Sequence, residues 1–91
     1  MTENLELRHF VSYTGVALPL NLITPIDGDT LHGRITFFRA YYNAAHRLVT
    51  VEKVVYGEIE FTHHYEYYPD GRLLKAEVID ADDESRVMSF S

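Results

Sequence analysis

The stretch Tyr67-Tyr68-Pro69-Asp70-Gly71-Arg72-Leu73 decides the fold, because its centre has the chemistry of a tight β-turn. Proline presets the backbone, aspartate bonds to nearby backbone groups, and glycine accepts the left-handed conformation that closes the turn. We expect a type I turn with a glycine bulge, in which Tyr68 pairs with Arg72 and Gly71 has a positive φ. This stretch therefore predicts a β-hairpin and fixes one strand register.

Two further turns extend this hairpin into an antiparallel meander. Tyr56-Gly57 suits a two-residue turn that pairs Val55 with Glu58, and a four-residue loop at 43–46 precedes it. The segments between the turns are rich in β-branched and aromatic residues, which favour strands. The meander covers residues 34–80, and its predicted strands are 34–42, 47–55, 58–68 and 72–80.

The Tyr56-Gly57 register can be checked by charge, since like charges directly opposite each other are unfavourable. It places Lys53 opposite Glu60 and Arg47 opposite Glu66, two complementary pairs. The same register makes Val51 and Thr62 cross-strand neighbours, and the Tyr68 turn makes His63 and Glu77 neighbours.

Residues 5–22 alternate apolar and polar side chains around Thr14-Gly15, which predicts an N-terminal hairpin. A two-residue turn there pairs Tyr13 with Val16 and Leu7 with Leu22. Pro19 has no N–H to donate, so the second strand should lie at a sheet edge or break there. We expect this amphipathic hairpin to cover one face of the meander.

The fold expected from these patterns is mainly β, with an antiparallel meander of about six strands and few or no helices. Ninety-one residues favour a single domain over 1–91, with a C-terminal tail or short strand at 81–91. Both predicted sheet faces mix apolar and polar residues. Such a sheet is usually covered on both sides, curved into a small open barrel or paired with another subunit, so a homodimer is one expectation.

Composition excludes several classes of function. The net charge of −6 argues against nucleic-acid binding, which needs clustered Lys and Arg, and favours a basic partner. The chain has no cysteine, which excludes disulfides and thiolate chemistry and suits the cytoplasm. No stretch approaches the length of a membrane span, and the acidic N-terminal segment lacks a signal-like apolar region, so we expect a cytoplasmic protein without membrane contact.

The Tyr67 to Leu73 stretch resembles the hairpin core of tyrosine-aspartate (YD) repeats and is similar to MORN-type repeats. A second copy with Asn43-Ala44-Ala45-His46 at its turn extends the likeness over residues 36–79. Both repeat types consist of β-hairpin units, so the resemblance implies hairpins and no activity. Taken whole, the chain also looks like a family of small bacterial proteins of unknown function, on the residues Phe10-Val11-Ser12-Tyr13-Thr14-Gly15-Val16 and Val55-Tyr56-Gly57-Glu58.

One row of the predicted sheet could carry chemistry, because it places a cation, a hydroxyl, an imidazole and a carboxylate side by side. The row consists of Arg39, Thr50, His63 and Glu77. The candidate ligand-binding residues are these four together with Glu52 and Tyr65 from the two adjacent rows. Arg39 could hold a small anion, and Glu77 beside His63 would raise the pKa of the imidazole. The alternative is that these groups satisfy one another as a structural network on a half-buried sheet.

No pattern points to catalysis, a metal or a cofactor. The adjacent His63-His64 cannot share one ion, because neighbouring strand residues point to opposite faces. No Ser-His-Asp, phosphate-loop or zinc-protease pattern occurs. The acidic run at 80–84 is typical of a solvated loop, with weak cation binding as the alternative.

Two hypotheses for function remain open. The first is a non-enzymatic binding or protein-interaction module that uses a Tyr-rich sheet face, with an unknown protein as partner. The second is a small anionic-ligand barrel or small enzyme centred on Arg39, His63 and Glu77. A concave pocket that holds those three side chains would favour the second, and a flat exposed face or a subunit interface would favour the first.

Overall fold

The computed structural model describes residues 5–15, 18–27 and 34–90, and these ranges form one open antiparallel sheet without helices. Its strands are β1 (Glu6–Thr14), β2 (Asn21–Ile26), β3 (Thr36–Tyr42), β4 (Leu48–Val55), β5 (Glu58–Tyr67), β6 (Leu73–Asp80) and β7 (Ser85–Ser89). Their order across the sheet is β2-β1-β3-β4-β5-β6-β7. The mainly β class and the antiparallel meander are confirmed, and the sheet is open and uncurled rather than a small barrel.

The turn at Pro69-Asp70-Gly71 forms as predicted. Gly71 has a φ of 97° and donates its N–H to the carbonyl of Tyr68 at 2.9 Å, while Tyr68 N–H bonds to the carbonyl of Arg72 at 2.8 Å. The Asp70 carboxylate accepts the Arg72 N–H at 3.0 Å. Asp70 and Gly71 therefore play the roles in the turn that their chemistry predicts.

The same turn geometry occurs at 43–47 and at 80–84. In each, the first residue bonds through its N–H to the carbonyl of the fifth, and the fourth is left-handed: His46 at 62° and Asp83 at 62°. The side-chain oxygens of Asn43 and Asp80 each accept two backbone N–H groups of their own turn. The acidic run at 80–84 is thus an exposed hairpin turn closed by Asp80, and residues 85–89 form the short strand β7.

The Tyr56-Gly57 turn also forms as predicted, with Val55 paired to Glu58. Both turn residues are left-handed, Tyr56 at 51° and Gly57 at 79°, which is the type I′ pattern. The predicted Lys53 and Glu60 contact is present, with Nζ 3.0 Å from Oε1.

The register beyond that turn was predicted wrongly. Val51 pairs with His63 rather than with Thr62, because the ladder shifts between Lys53 and Val54 and leaves Glu60 as an extra residue on β5. A β-bulge of this kind sends all following side chains of the strand to the other face. Arg47 consequently contacts the ring of Tyr67 and the carbonyl of Tyr68, not Glu66.

A second shift changes the β5–β6 register, where Tyr67 pairs with Leu73 as the turn requires and Leu74 is then the extra residue. His63 therefore faces Val78, and His64 faces Glu77. The β3–β4 register differs from the predicted one by two residues. Tyr42 pairs with Leu48 and not with Arg47, the partner that a four-residue loop at 43–46 implies, and Val49 is then an extra residue of β4, so Arg39 pairs with Glu52 instead of Thr50. The predicted strands are correct within one or two residues, but the predicted faces of β5 are exchanged.

The N-terminal hairpin has a longer connection than predicted. Tyr13 pairs with Leu22, not with Val16, and β2 begins only at Asn21, after Pro19. Because Pro19 cannot donate to a ladder, the chain starts its return strand beyond it. Val16 lies outside the described residues. β2 is at the sheet edge, in agreement with the prediction from Pro19.

The hydrophobic core lies on one face of the sheet, and the β1–β2 connection covers part of it. Leu20 precedes β2 at the sheet edge, yet its N–H lies 3.3 Å from the hydroxyl of Tyr65 on β5. The connection therefore crosses the face, whereas β1 and β2 themselves extend the sheet instead of covering it. The buried residues of this core face are Phe10, Leu20, Phe38, Ala40, Leu48, Val51, Tyr65 and Ala76.

Candidate functional site

The face opposite the core, which we call the outer face, carries most of the predicted site. Register places four of the six predicted residues there: Arg39, Thr50, Glu52 and Glu77. The other two, His63 and Tyr65, lie on the core face and are 8% and 3% exposed. The predicted grouping of Arg39, His63 and Glu77 is therefore wrong, because the bulge at Glu60 turns His63 away from the other two.

Arg39 and Glu52 form an ion pair on the outer face. The Nε of Arg39 is 3.0 Å from Oε1 of Glu52, and the side chains are 33% and 18% exposed. The N–H is not directed at that oxygen, so among the described residues Nε has an ionic contact but no hydrogen-bond acceptor. The hydroxyl of Tyr41 also donates to Oε1 of Glu52, at 3.4 Å. Arg39 is thus already neutralised by a neighbour on its own sheet.

His64 takes the position that the sequence predicted for His63. It pairs with Thr50 on one side and with Glu77 on the other, and its Nδ1 is 3.2 Å from the hydroxyl oxygen of Thr50. A shallow depression beside it is lined by His64, Glu66, Lys75 and Glu77. The predicted row of a hydroxyl, an imidazole and a carboxylate exists, but its imidazole belongs to His64. Only knowledge of the bulge could have identified it.

His63 and Tyr65 form a buried hydrogen-bonded pair on the core face. Nδ1 of His63 is 2.6 Å from the hydroxyl of Tyr65, which also accepts the N–H of Leu20. Burial raises the pKa of Tyr65 to about 12, so the phenol keeps its proton and can donate it to Nδ1. This pair ties the β1–β2 connection to the centre of the sheet.

The pKa of His63 is lowered, first by burial and second by the nearby His64. The expected rise depended on Glu77 as a neighbour, and the bulge removes that carboxylate from the imidazole. Desolvation therefore decides the direction, since a charged imidazole is disfavoured in a buried site. The lowered pKa of His63 favours the uncharged imidazole, whose Nδ1 can accept a hydrogen bond from the Tyr65 hydroxyl.

Three exposed apolar residues cluster at the tip of the β4–β5 hairpin, and we call them the tip patch. Ile35, Tyr56 and Ile59 are 51%, 77% and 44% exposed. Tyr56 N–H bonds to the carbonyl of Ile35 at 2.8 Å, and Ile59 pairs with Val54 in the adjoining row. The sequence patterns described above do not predict this patch. Its signal was a tyrosine in the first position of a two-residue turn, where asparagine or glycine is usual.

Other site types find no support in the described ranges. No group of three or more His, Asp or Glu side chains among the described residues is arranged to hold a metal ion. Within the same ranges, no helix has the length and apolar character needed to cross a bilayer.

Comparison with known proteins identifies the family. A model of a family of unknown function, DUF6156, matches residues 2–91, so the chain belongs to that family. No curated protein and no solved structure matches significantly. The expected membership of a family of unknown function is confirmed, and this match does not show the resemblance to YD or MORN repeats.

Proposed function

We propose that this DUF6156 protein is a non-enzymatic interaction module, and that its tip patch binds a protein partner. The single observation that carries the proposal is the conformation and exposure of Tyr56. It stands in a left-handed turn position at φ 51° and exposes 77% of its surface.

Stability alone does not explain a tyrosine at this position. Left-handed φ values are disfavoured for residues with a Cβ, and Asn or Gly in the same type I′ turn relieves the strain. A buried ring could offset that cost through packing, but Tyr56 is exposed. Strained residues concentrate at recognition sites, and an exposed tyrosine offers a large contact area with little side-chain entropy to lose.

The surroundings of Tyr56 suit a protein surface better than a small molecule. Ile35 and Ile59 extend the apolar area, and partly buried Phe37 continues it along β3. Glu58 and Glu60 are exposed on the same hairpin, and Glu60 pairs there with Lys53 at 3.0 Å. The apolar patch favours a partner that has an apolar pocket, and the net charge of −6 favours Lys or Arg on the surface around that pocket.

No specific observation favours the anionic-ligand or enzyme hypothesis. Arg39 is paired with Glu52, and His63 lies on the opposite face from both Arg39 and Glu77. The cytoplasm remains the compartment that we propose, because a chain without cysteine suits a reducing environment.

Site-specific photocrosslinking in the native host tests the proposal. A photoreactive residue at position 59 lies in the tip patch, whereas the same residue at the exposed Asp70 lies at the opposite end of β5. We expect one protein to crosslink from position 59 and not from position 70. Equal labelling from both positions, or the absence of any protein adduct from position 59, would contradict the proposal.

A further inference from the structure

The outer edge of β7 is the most regular unpaired edge of the sheet. β7 pairs with β6 on one side, and no described strand pairs with its other side. The strand Ser-Arg-Val-Met-Ser contains no proline, and Val87 is 52% exposed. Unpaired edge strands of this kind are templates for β-pairing with another chain.

The backbone groups that point away from β6 can be identified from the turn that precedes β7. Asp80 N–H bonds to the carbonyl of Glu84, and Phe90 N–H bonds to the carbonyl of Leu74. Even-numbered residues of β7 therefore bond inward, because bonded and non-bonded positions alternate in an antiparallel ladder. The N–H and carbonyl groups of Ser85, Val87 and Ser89 point outward.

We propose that two copies of this chain form a dimer by antiparallel pairing of β7 with β7, with the twofold axis at Val87. The strand is almost symmetric about that residue. The pairing places Val87 opposite Val87 of the partner subunit and Ser85 opposite Ser89 of the partner subunit. All of these residues carry outward-pointing backbone groups, so each pair exchanges two hydrogen bonds.

The side chains of β7 favour this register over the two registers in which the twofold axis lies at a neighbouring residue. With the axis at Val87, Arg86 lies opposite Met88 of the partner subunit, and Val87 meets an identical apolar side chain. A shift of the axis to Arg86 would set two arginines opposite each other, and a shift to Met88 would shorten the pairing. Pairing at the Val87 axis uses the full length of β7.

The other edge does not offer the same template. β2 contains Pro25, which has no N–H, and Thr24, whose φ of 60° is far from strand geometry. Proline and local distortion are devices that prevent edge pairing. A dimer through β7 leaves the tip patch uncovered, so this inference stands independently of the proposed function.

Sedimentation equilibrium on the wild type and two variants tests the dimer. We expect the wild type to approach twice the mass of one chain by about 1 mM, since one strand pair makes a small, weak interface. Val87→Pro removes an outward N–H without breaking the β6 ladder, and should weaken dimerisation by about tenfold or more. Val87→Thr keeps the N–H and should dimerise like the wild type. A monomeric wild type, or undiminished dimerisation of a folded Val87→Pro variant, would overturn the inference.

Cysteine crosslinking gives a second readout if Val87→Pro does not fold. The natural chain has no cysteine, so Val87→Cys introduces one defined thiol. Residues in a bonded antiparallel pair have Cα atoms about 5.5 Å apart, within the range that a disulfide spans. We expect Val87→Cys to oxidise to a covalent dimer much faster than Ile23→Cys, which is exposed on the β2 edge. Equal rates for the two variants would overturn the inference.

Discussion

Removal of the Tyr65 hydroxyl should destabilise the fold strongly. In the Tyr65→Phe variant, Nδ1 of His63 loses a partner at 2.6 Å, and the N–H of Leu20 loses a partner at 3.3 Å. His63 and Leu20 are both nine-tenths or more buried, so solvent cannot easily replace the hydroxyl of Tyr65. An unsatisfied buried polar group costs about 1–3 kcal/mol. The contact of the Leu20 N–H is the longer of the two and should contribute at the low end of this range. We therefore expect the free energy of unfolding to fall by about 2–4 kcal/mol in total.

The assay is urea unfolding at pH 7.5, followed by circular dichroism, together with thermal melting. For a chain of this size the loss corresponds to a fall in Tm of at least about 8 °C. Tyr56→Phe removes the same hydroxyl from an exposed ring and should change stability by less than about 0.5 kcal/mol. Addition of His63→Leu to Tyr65→Phe should recover part of the loss, because it removes the unsatisfied Nδ1. Equal stability of Tyr65→Phe and the wild type would refute the role of this pair.

Three further predictions concern His63, Gly71 and Asp80. The pKa of His63 is lowered in the folded protein, so the unfolded chain binds the imidazole proton more tightly. The free energy of unfolding should therefore fall as the pH drops below about 6.5, the ordinary pKa of histidine. It should level off once folded His63 is also protonated. An NMR titration in which the His63 ring has a raised pKa would contradict this. Gly71→Val should lower the free energy of unfolding in urea by more than about 1 kcal/mol, because the φ of 97° at this position is unfavourable for a residue with a side chain. An unchanged midpoint of the urea transition would show that the turn tolerates a side chain. Asp80→Ala should lower the free energy of unfolding by about 1 kcal/mol, since two backbone N–H groups lose their acceptor. Asp80→Asn keeps a side-chain oxygen and should lower it less. Equal losses for the two variants would count against closure of the turn by the side chain.

The turns could be predicted from sequence because their chemistry is local. Pro69-Asp70-Gly71 and Tyr56-Gly57 each contain the residue that accepts a positive φ, and both registers next to the turns are correct. The strand bounds followed, since β-branched and aromatic residues fill the segments between turns. Pro19 correctly indicated an edge strand.

The bulges could not be predicted, and they decided the site. Val49, Glu60 and Leu74 are ordinary strand residues, and nothing in their side chains marks them as extra. A shift of one residue moves a whole strand segment to the other face. That shift exchanged His63 for His64 and separated the predicted site residues, although Arg39, Thr50, Glu52 and Glu77 do share a face. Long-range packing, such as Leu20 on Tyr65, was also beyond local patterns.

The most direct test of the proposed function is a paired measurement on Tyr56→Asn. Asparagine suits the left-handed turn better than tyrosine does, so the variant should be more stable than the wild type by about 0.5–1 kcal/mol. The same variant should lose the protein partner that the wild type recovers from host lysate, because the ring at the tip is gone. A variant that is better folded but does not bind would separate recognition from stability. If Tyr56→Asn recovers the partner as well as the wild type does, Tyr56 does not bind it and the proposed function is wrong.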